Sequence, residues 1–94
     1  MPVMHAEVST VDASRLINRL CKHFRHKIDA RWDETEGFLT FAMGSCKLTA
    51  RDSTLEMSCQ AGSEAERDQV GDIVATHLVR FAGGEVEQVT WQSE

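Results

Sequence analysis

Residues 38–60 read FLTFAMGSCKLTARDSTLEMSCQ, and the alternation within them decides the architecture. Cys46, Leu48 and Ala50 alternate with Lys47, Thr49 and Arg51, and Leu55, Met57 and Cys59 alternate with Glu56, Ser58 and Gln60. A period of two places each apolar set on one face of a strand and its polar set on the other. Asp52-Ser53-Thr54 between the runs supplies turn chemistry. Gly44-Ser45 suits a tight primed hairpin turn, with Phe38 to Met43 as the strand leading into it. On the N-terminal side, Ile28, Ala30 and Trp32 alternate with Asp29, Arg31 and Asp33. Glu34-Thr35-Glu36-Gly37 then turns the chain, with Gly37 free to take a positive φ. The expected result is a meander of four strands.

Helical patterns flank the meander. Leu16, Ile17, Leu20, Cys21 and Phe24 recur at helical spacing and predict a helix that starts from an N-cap oxygen on Thr10 or Asp12 and runs to about residue 26. Before it, Met4, Ala6 and Val8 alternate with His5, Glu7 and Ser9, which predicts a strand over residues 3–9. After the meander, Ser63-Glu64-Ala65-Glu66 is a capping-box sequence. Val70, Ile73, Val74, His77, Leu78 and Phe81 continue as the apolar stripe of a second helix until Gly83-Gly84 ends it, and Val86 to Trp91 is the last predicted strand. The order β-α-β-β-β-β-α-β predicts an α+β fold, two helices packed on one face of a mostly antiparallel sheet, as a single domain over residues 1–94. The stretch 38–43 departs from the pattern because it is apolar on both faces. A homodimer contact through strand 38–43, a sheet curving over its own interior, or a small apolar ligand pocket would each cover the second face.

The net charge of −5 is unevenly spread. Residues 12–31 carry six Lys and Arg against two Asp, a surplus of +4, so the rest of the chain carries −9. One basic helix on an acidic protein argues against nucleic acid as a partner, since no protein-wide positive field exists, and it permits one local anion site. Arg15, Arg19, Lys22 and His26 project on the outward side of that helix as a cationic stripe, which Arg80, Arg25 and Lys27 could extend. The three cysteines at irregular spacing make neither a disulfide framework nor a zinc pattern, so reduced, packed thiols are expected. No basic leader with an apolar run and no apolar window long enough for a membrane span is present, which makes a cytoplasmic location the expectation and a membrane an unexpected partner.

Leu20-Cys21-Lys22-His23-Phe24-Arg25-His26-Lys27 gathers two imidazoles and a thiol. At about 100° per residue, Cys21 lies roughly 160° around the helix from His23, so the two cannot share an ion. His23 and His26, about 60° apart, could share a ligand if further donors arrived from elsewhere. His77 sits inside the second helix's apolar stripe, where burial favours a neutral ring hydrogen-bonded to a carbonyl or a nearby side chain. Helices side by side on one sheet would bring His23 and His77 together. No Gly-rich phosphate loop, nucleophile elbow or paired-carboxylate site is present, so no catalytic residue, metal or cofactor is assigned.

The motifs Leu20-Cys21-Lys22-His23-Phe24-x-His26-Lys27, Met43-Gly44-x-Cys46-x-Leu48 and His77-Leu78-x-Arg80-Phe81-Ala82, with Trp91 near the end, resemble the small bacterial domain-of-unknown-function 2218 family over nearly the whole chain. The resemblance implies His23, His26, Cys46, His77 and Arg80 as candidate site residues. It also implies an association with siderophore-interacting flavoproteins and hence with iron acquisition or release. The function expected is a non-catalytic binding or accessory module for an anionic small molecule such as an iron chelate, with a siderophore-interacting flavoprotein as a candidate partner. Its alternatives are a structural protein that dimerises through strand 38–43 and an enzyme using His77 as general base.

Overall fold

The computed structural model describes residues 2–93. Its elements are β1 (Val3–Ser9), α1 (Ala13–Phe24), β2 (Asp29–Trp32), β3 (Glu36–Thr40), β4 (Gly44–Arg51), β5 (Thr54–Ala61), α2 (Glu64–Phe81) and β6 (Gln92–Ser93). This is the order expected from the sequence. The sheet runs β2-β3-β4-β5-β1-β6, and every pairing among the described residues is antiparallel. Both helices cover one face. Leu16, Ile17, Leu20 and Cys21 of α1, with Val70, Val74 and Leu78 of α2, are buried against Met4, Ala6, Leu39, Cys46, Leu48, Leu55, Met57 and Cys59. The other face carries the polar half of each alternation, including His5, Glu7, Thr40 and Lys47.

Local chemistry starts each helix. Asp12 is the N-cap of α1 and accepts from the Arg15 amide at 3.0 Å, which satisfies one of the amides a helix start leaves without a partner. Ser63 caps α2 by accepting from the Glu66 amide at 3.2 Å. The Glu66 carboxylate accepts from the Ser63 hydroxyl at 3.1 Å, rather than reaching the Ser63 amide as a full capping box would. Gly83 and Gly84, with φ of 60° and 96°, release the chain from α2.

Four local expectations are corrected. First, Gly37 is not a turn residue. It lies inside β3 opposite Trp32 and Leu48, and a Cβ there would meet Ile17 Cγ2 at 2.9 Å and Cys21 Sγ at 3.0 Å. Its missing side chain lets α1 settle onto the sheet. The turn before it is held instead by Asp33, whose Oδ1 accepts from the amides of Thr35 and Glu36, both at 2.8 Å.

Second, the hairpin turn is Ala42-Met43, because Phe41 and Gly44 exchange amide-to-carbonyl bonds of 2.7 and 3.4 Å and Gly44-Ser45 already belong to β4. This removes most of the doubly apolar character of 38–43. Leu39 and Phe41 point inward and are buried, Ala42 and Met43 leave the strand, and Phe38 is the bulky apolar side chain that remains on the outer face. β3 is hydrogen-bonded on both edges, to β2 and to β4, so any contact through strand 38–43 must use its outer face.

Third, α1 stops at Phe24, where the Arg25, Lys27 and Ile28 amides close a tight end on Cys21 and Phe24 carbonyls. Fourth, residues 86–91 are not a strand. Val86 is buried and Val89 and Trp91 pack on the core, but the backbone joins the ladder only at Gln92–Ser93. Val86 and Val89 are three apart, a spacing that side-chain anchoring tolerates and a period-two ladder does not.

Candidate functional site

The α1–α2 contact brings two imidazoles together. His23, in the last turn of α1, and His77, one turn before the end of α2, have ring centroids 4.9 Å apart with planes tilted by 39°. Phe24 lies 4.8 Å from His77 and 5.3 Å from His23, and Phe81 lies 5.4 Å from His23. Phe41, from the end of the β3–β4 hairpin, meets Phe24 edge to face at 5.5 Å. The pair therefore rests against Phe24 and Phe81, one ring from each helix, and Phe41 of the hairpin backs Phe24. These phenylalanines read in the sequence as core spacing alone, and nothing in their periodicity marks them as the setting of a site.

His77 is half-buried, less than its place in the apolar stripe suggested. Its Nδ1 lies 2.7 Å from the Ile73 carbonyl oxygen. A carbonyl only accepts, so Nδ1 carries the proton and a singly protonated ring keeps its lone pair on Nε2. His23 is also half-buried. Loss of water around its ring holds its pKa below the ordinary imidazole value of 6.5, and the charges of His77, Lys27, Arg80 and His26 push the same way. Four basic side chains thus act on His23 at the ends of α1 and α2.

The remaining candidates divide. Arg19 folds across to α2, its guanidinium 5.6 Å from the centre of the Phe81 ring and its Nη1 donating to the Phe81 carbonyl at 3.2 Å. It ties the two helices together and satisfies a carbonyl at the end of α2. Arg15 and Lys22 stay exposed on the outer side of α1, and Arg80 is exposed on α2. His26 lies beyond the helix end, so the 60° relation to His23 that a continuing helix would give does not apply to it. The ion pairs among the described residues engage Arg31, Lys47, Arg51 and Arg67, and none of them involves Arg15, Arg19, Lys22, Lys27 or Arg80.

Cys46 is part of the core rather than the site. It is the direct cross-strand partner of Cys59, and both are buried, as is Cys21 from α1. Burial pushes the Cys21 thiol up to about 11, while the hydrogen bond with Cys59 and burial push Cys46 well above the ordinary thiol value. Thiols so held are poor nucleophiles and poor metal ligands near neutral pH. Among the described residues no three His, Cys, Asp or Glu side chains converge as metal ligands.

The sequence pointed to the second face of strand 38–43, with a small apolar pocket among the ways to cover it, but not to the residues that line its depressions. Two adjoining depressions lie there, one of about 310 Å³ beside His5, Lys47 and Glu56 and one of about 320 Å³ beside Phe38, Ser45 and Gln60. The available signal was Phe38, an apolar residue at an outward position of an otherwise polar face.

The architecture and the cross-helix imidazole pair define a small α+β domain with a basic patch over its helical layer. A bacterial family described as an uncharacterized protein conserved in bacteria, domain of unknown function 2218, matches residues 5–92, and the chain belongs to it. Among solved structures, the chain is similar to the NMR structure of PA4090 from Pseudomonas aeruginosa, with 32% sequence identity and a TM-score of 0.83, covering 98% of this chain and 96% of that one. No functionally curated protein matches it. No helix among the described residues is long and apolar enough to cross a membrane.

Proposed function

We propose that this protein is a non-catalytic binding module that takes an anionic small molecule of the iron-chelate class over the ends of α1 and α2. The observation that carries the reading is the concentration of His23, His77, Lys27 and Arg80 at the ends of α1 and α2, where burial first and like charge second hold the His23 pKa down and no carboxylate among the described residues forms an ion pair with the cations. An anion docked there relieves repulsion already present in the unliganded chain. The aromatic surroundings exclude water from one side, which strengthens each charge-assisted hydrogen bond. In this reading the His77 Nε2 lone pair and the His23 ring contact the chelate, Arg80 and Lys27 bind its anionic groups, and Arg15, Lys22 and His26 supply longer-range attraction. Iron is cargo carried inside the chelate. Delivery to or from a siderophore-interacting flavoprotein would use the same basic surface.

Titrating the chain with ferric catecholate and ferric hydroxamate chelates, haem, and zinc or nickel ions tests the proposal. Absorbance and thermal midpoint are followed together. A ligand at 100 times its Kd raises stability by about 2.7 kcal/mol, so binding is expected to move the midpoint by several degrees. An unmoved midpoint at large excess of every ferric chelate contradicts the reading.

A further inference from the structure

The sheet register aligns one row of side chains straight across the open face. Arg31 pairs with Phe38, Phe38 with Lys47, Lys47 with Ser58, and Ser58 with His5. The row reads cation, ring, cation, hydroxyl, imidazole. Phe38 is 45% exposed, although an apolar ring on this face adds nothing to the core. Lys47 Nζ stands 5.7 Å from the centre of that ring. The depression of about 320 Å³ opens directly beside it, between Phe38, Thr40, Lys47, Ser58 and Gln60, at the lower end of the size range of small-molecule sites.

We infer that this row is a second binding site, independent of the helix-face proposal and on the opposite side of the sheet, for a planar aromatic carboxylate. The ring stacks on Phe38, and the carboxylate takes Lys47, with Arg31 on the other side of the ring adding longer-range attraction. Both cations are held only by exposed ion pairs, Lys47 to Glu36 at 3.3 Å and Arg31 to Asp29 at 3.5 Å, which solvent screens and a ligand can displace. The charge of the ligand follows from the neighbouring row, where Glu36 pairs with Thr49, Thr49 with Glu56 and Glu56 with Glu7. With Asp29 these make four carboxylates against the three cations Arg31, Lys47 and Arg51, the last paired with Glu56 at 3.3 Å, so the face takes one added negative charge at Lys47 and repels a second, which fits a monoanion and disfavours a phosphate ester.

Amide NMR of the full chain titrated with naphthoate tests the inference. Saturable shifts are expected at Phe38, Lys47 and Ser58. Affinity is expected to fall about tenfold or more in Phe38→Ala and in Lys47→Gln, and by a similar factor for cyclohexanecarboxylate, which lacks the ring, and for naphthalenemethanol, which lacks the charge. Because Phe38 and Lys47 are both exposed, each variant should keep the wild-type spectrum elsewhere. The inference is overturned by no saturable shift at about 10 mM naphthoate, by shifts confined to the helical face, or by tighter binding of adenosine monophosphate. Movement of the same amides on simple dilution also overturns it, since that would make the face a contact between two copies of the chain.

Discussion

The imidazoles of His23 and His77 face each other across the α1–α2 contact at 4.9 Å, with the His77 ring oriented by its Nδ1–H bond to the Ile73 carbonyl at 2.7 Å. One ring is thus held by the backbone of its own helix, and burial together with neighbouring basic groups, His77 among them, holds the pKa of the other down. Neither residue is near the other in sequence; the sheet brings them together by seating both helices on one face.

This relationship predicts a pH dependence of stability. The folded-state pKa of His23 lies below its ordinary value of 6.5, so the unfolded chain takes up the proton first as pH falls. The contribution of a neutral His23 is fully present above about 6.5. It is lost as pH falls from there through the lower folded value. In His77→Gln the His23 pKa should rise toward 6.5, and the loss of stability between pH 7 and 5 should shrink. NMR titration of the His23 ring protons, with urea melts across the same range, checks both. An unchanged His23 pKa in His77→Gln removes the electrostatic link.

Gly37→Ala should destabilise the fold by about 1–3 kcal/mol, the usual cost of forcing extra volume into a packed core. The added methyl meets Ile17 Cγ2 and Cys21 Sγ on the helix seated above it. Denaturant unfolding measures this. A neutral or stabilising result would mean that α1 can lift from the sheet without loss.

Ser63→Ala should cost about 1 kcal/mol, because the Glu66 amide loses its acceptor at the half-buried start of α2. Ser63→Asp should recover most of that loss, since a carboxylate at this position also complements the helix dipole. Thermal melts of the two variants side by side decide between a capping role and simple loss of a hydroxyl.

The three cysteines should resist a disulfide-exchange thiol reagent in the native state and react fully in denaturant. Cys21, Cys46 and Cys59 are buried, and the Cys21 and Cys46 thiols are pushed upward in pKa. Labelling of Cys46 at a rate near that of a free thiol would contradict its assignment to the core.

Much of the fold was legible because its cues are local. The alternation in β1, β4 and β5 and the helical spacing in α1 and α2 each specify one face to bury, and the Asp12 and Ser63 caps mark where the helices start. What was misread depends on the third dimension. Gly37 reads as a turn residue until a helix is laid over it, and Val86–Trp91 reads as a strand although its side chains anchor it without a ladder. The candidate site divides the same way. The meeting of His23 and His77 follows from putting two helices on one face, whereas the cross-helix bond of Arg19 depends on a side-chain path that helical angles do not encode. The Phe38 row needs the register of five strands, which no single stretch of sequence contains.

Everything proposed for the helical face rests on an anionic chelate binding at the His23–His77 cluster. The direct measurement is calorimetric titration of a ferric catecholate chelate into the wild-type chain and into the His23→Ala/His77→Ala double variant at low salt. Saturable one-to-one binding to the wild type is expected, weakened about tenfold or more in the double variant and reduced by added salt, as attraction to Arg80 and Lys27 requires. No measurable binding to the wild type, or undiminished binding to a folded double variant, contradicts it.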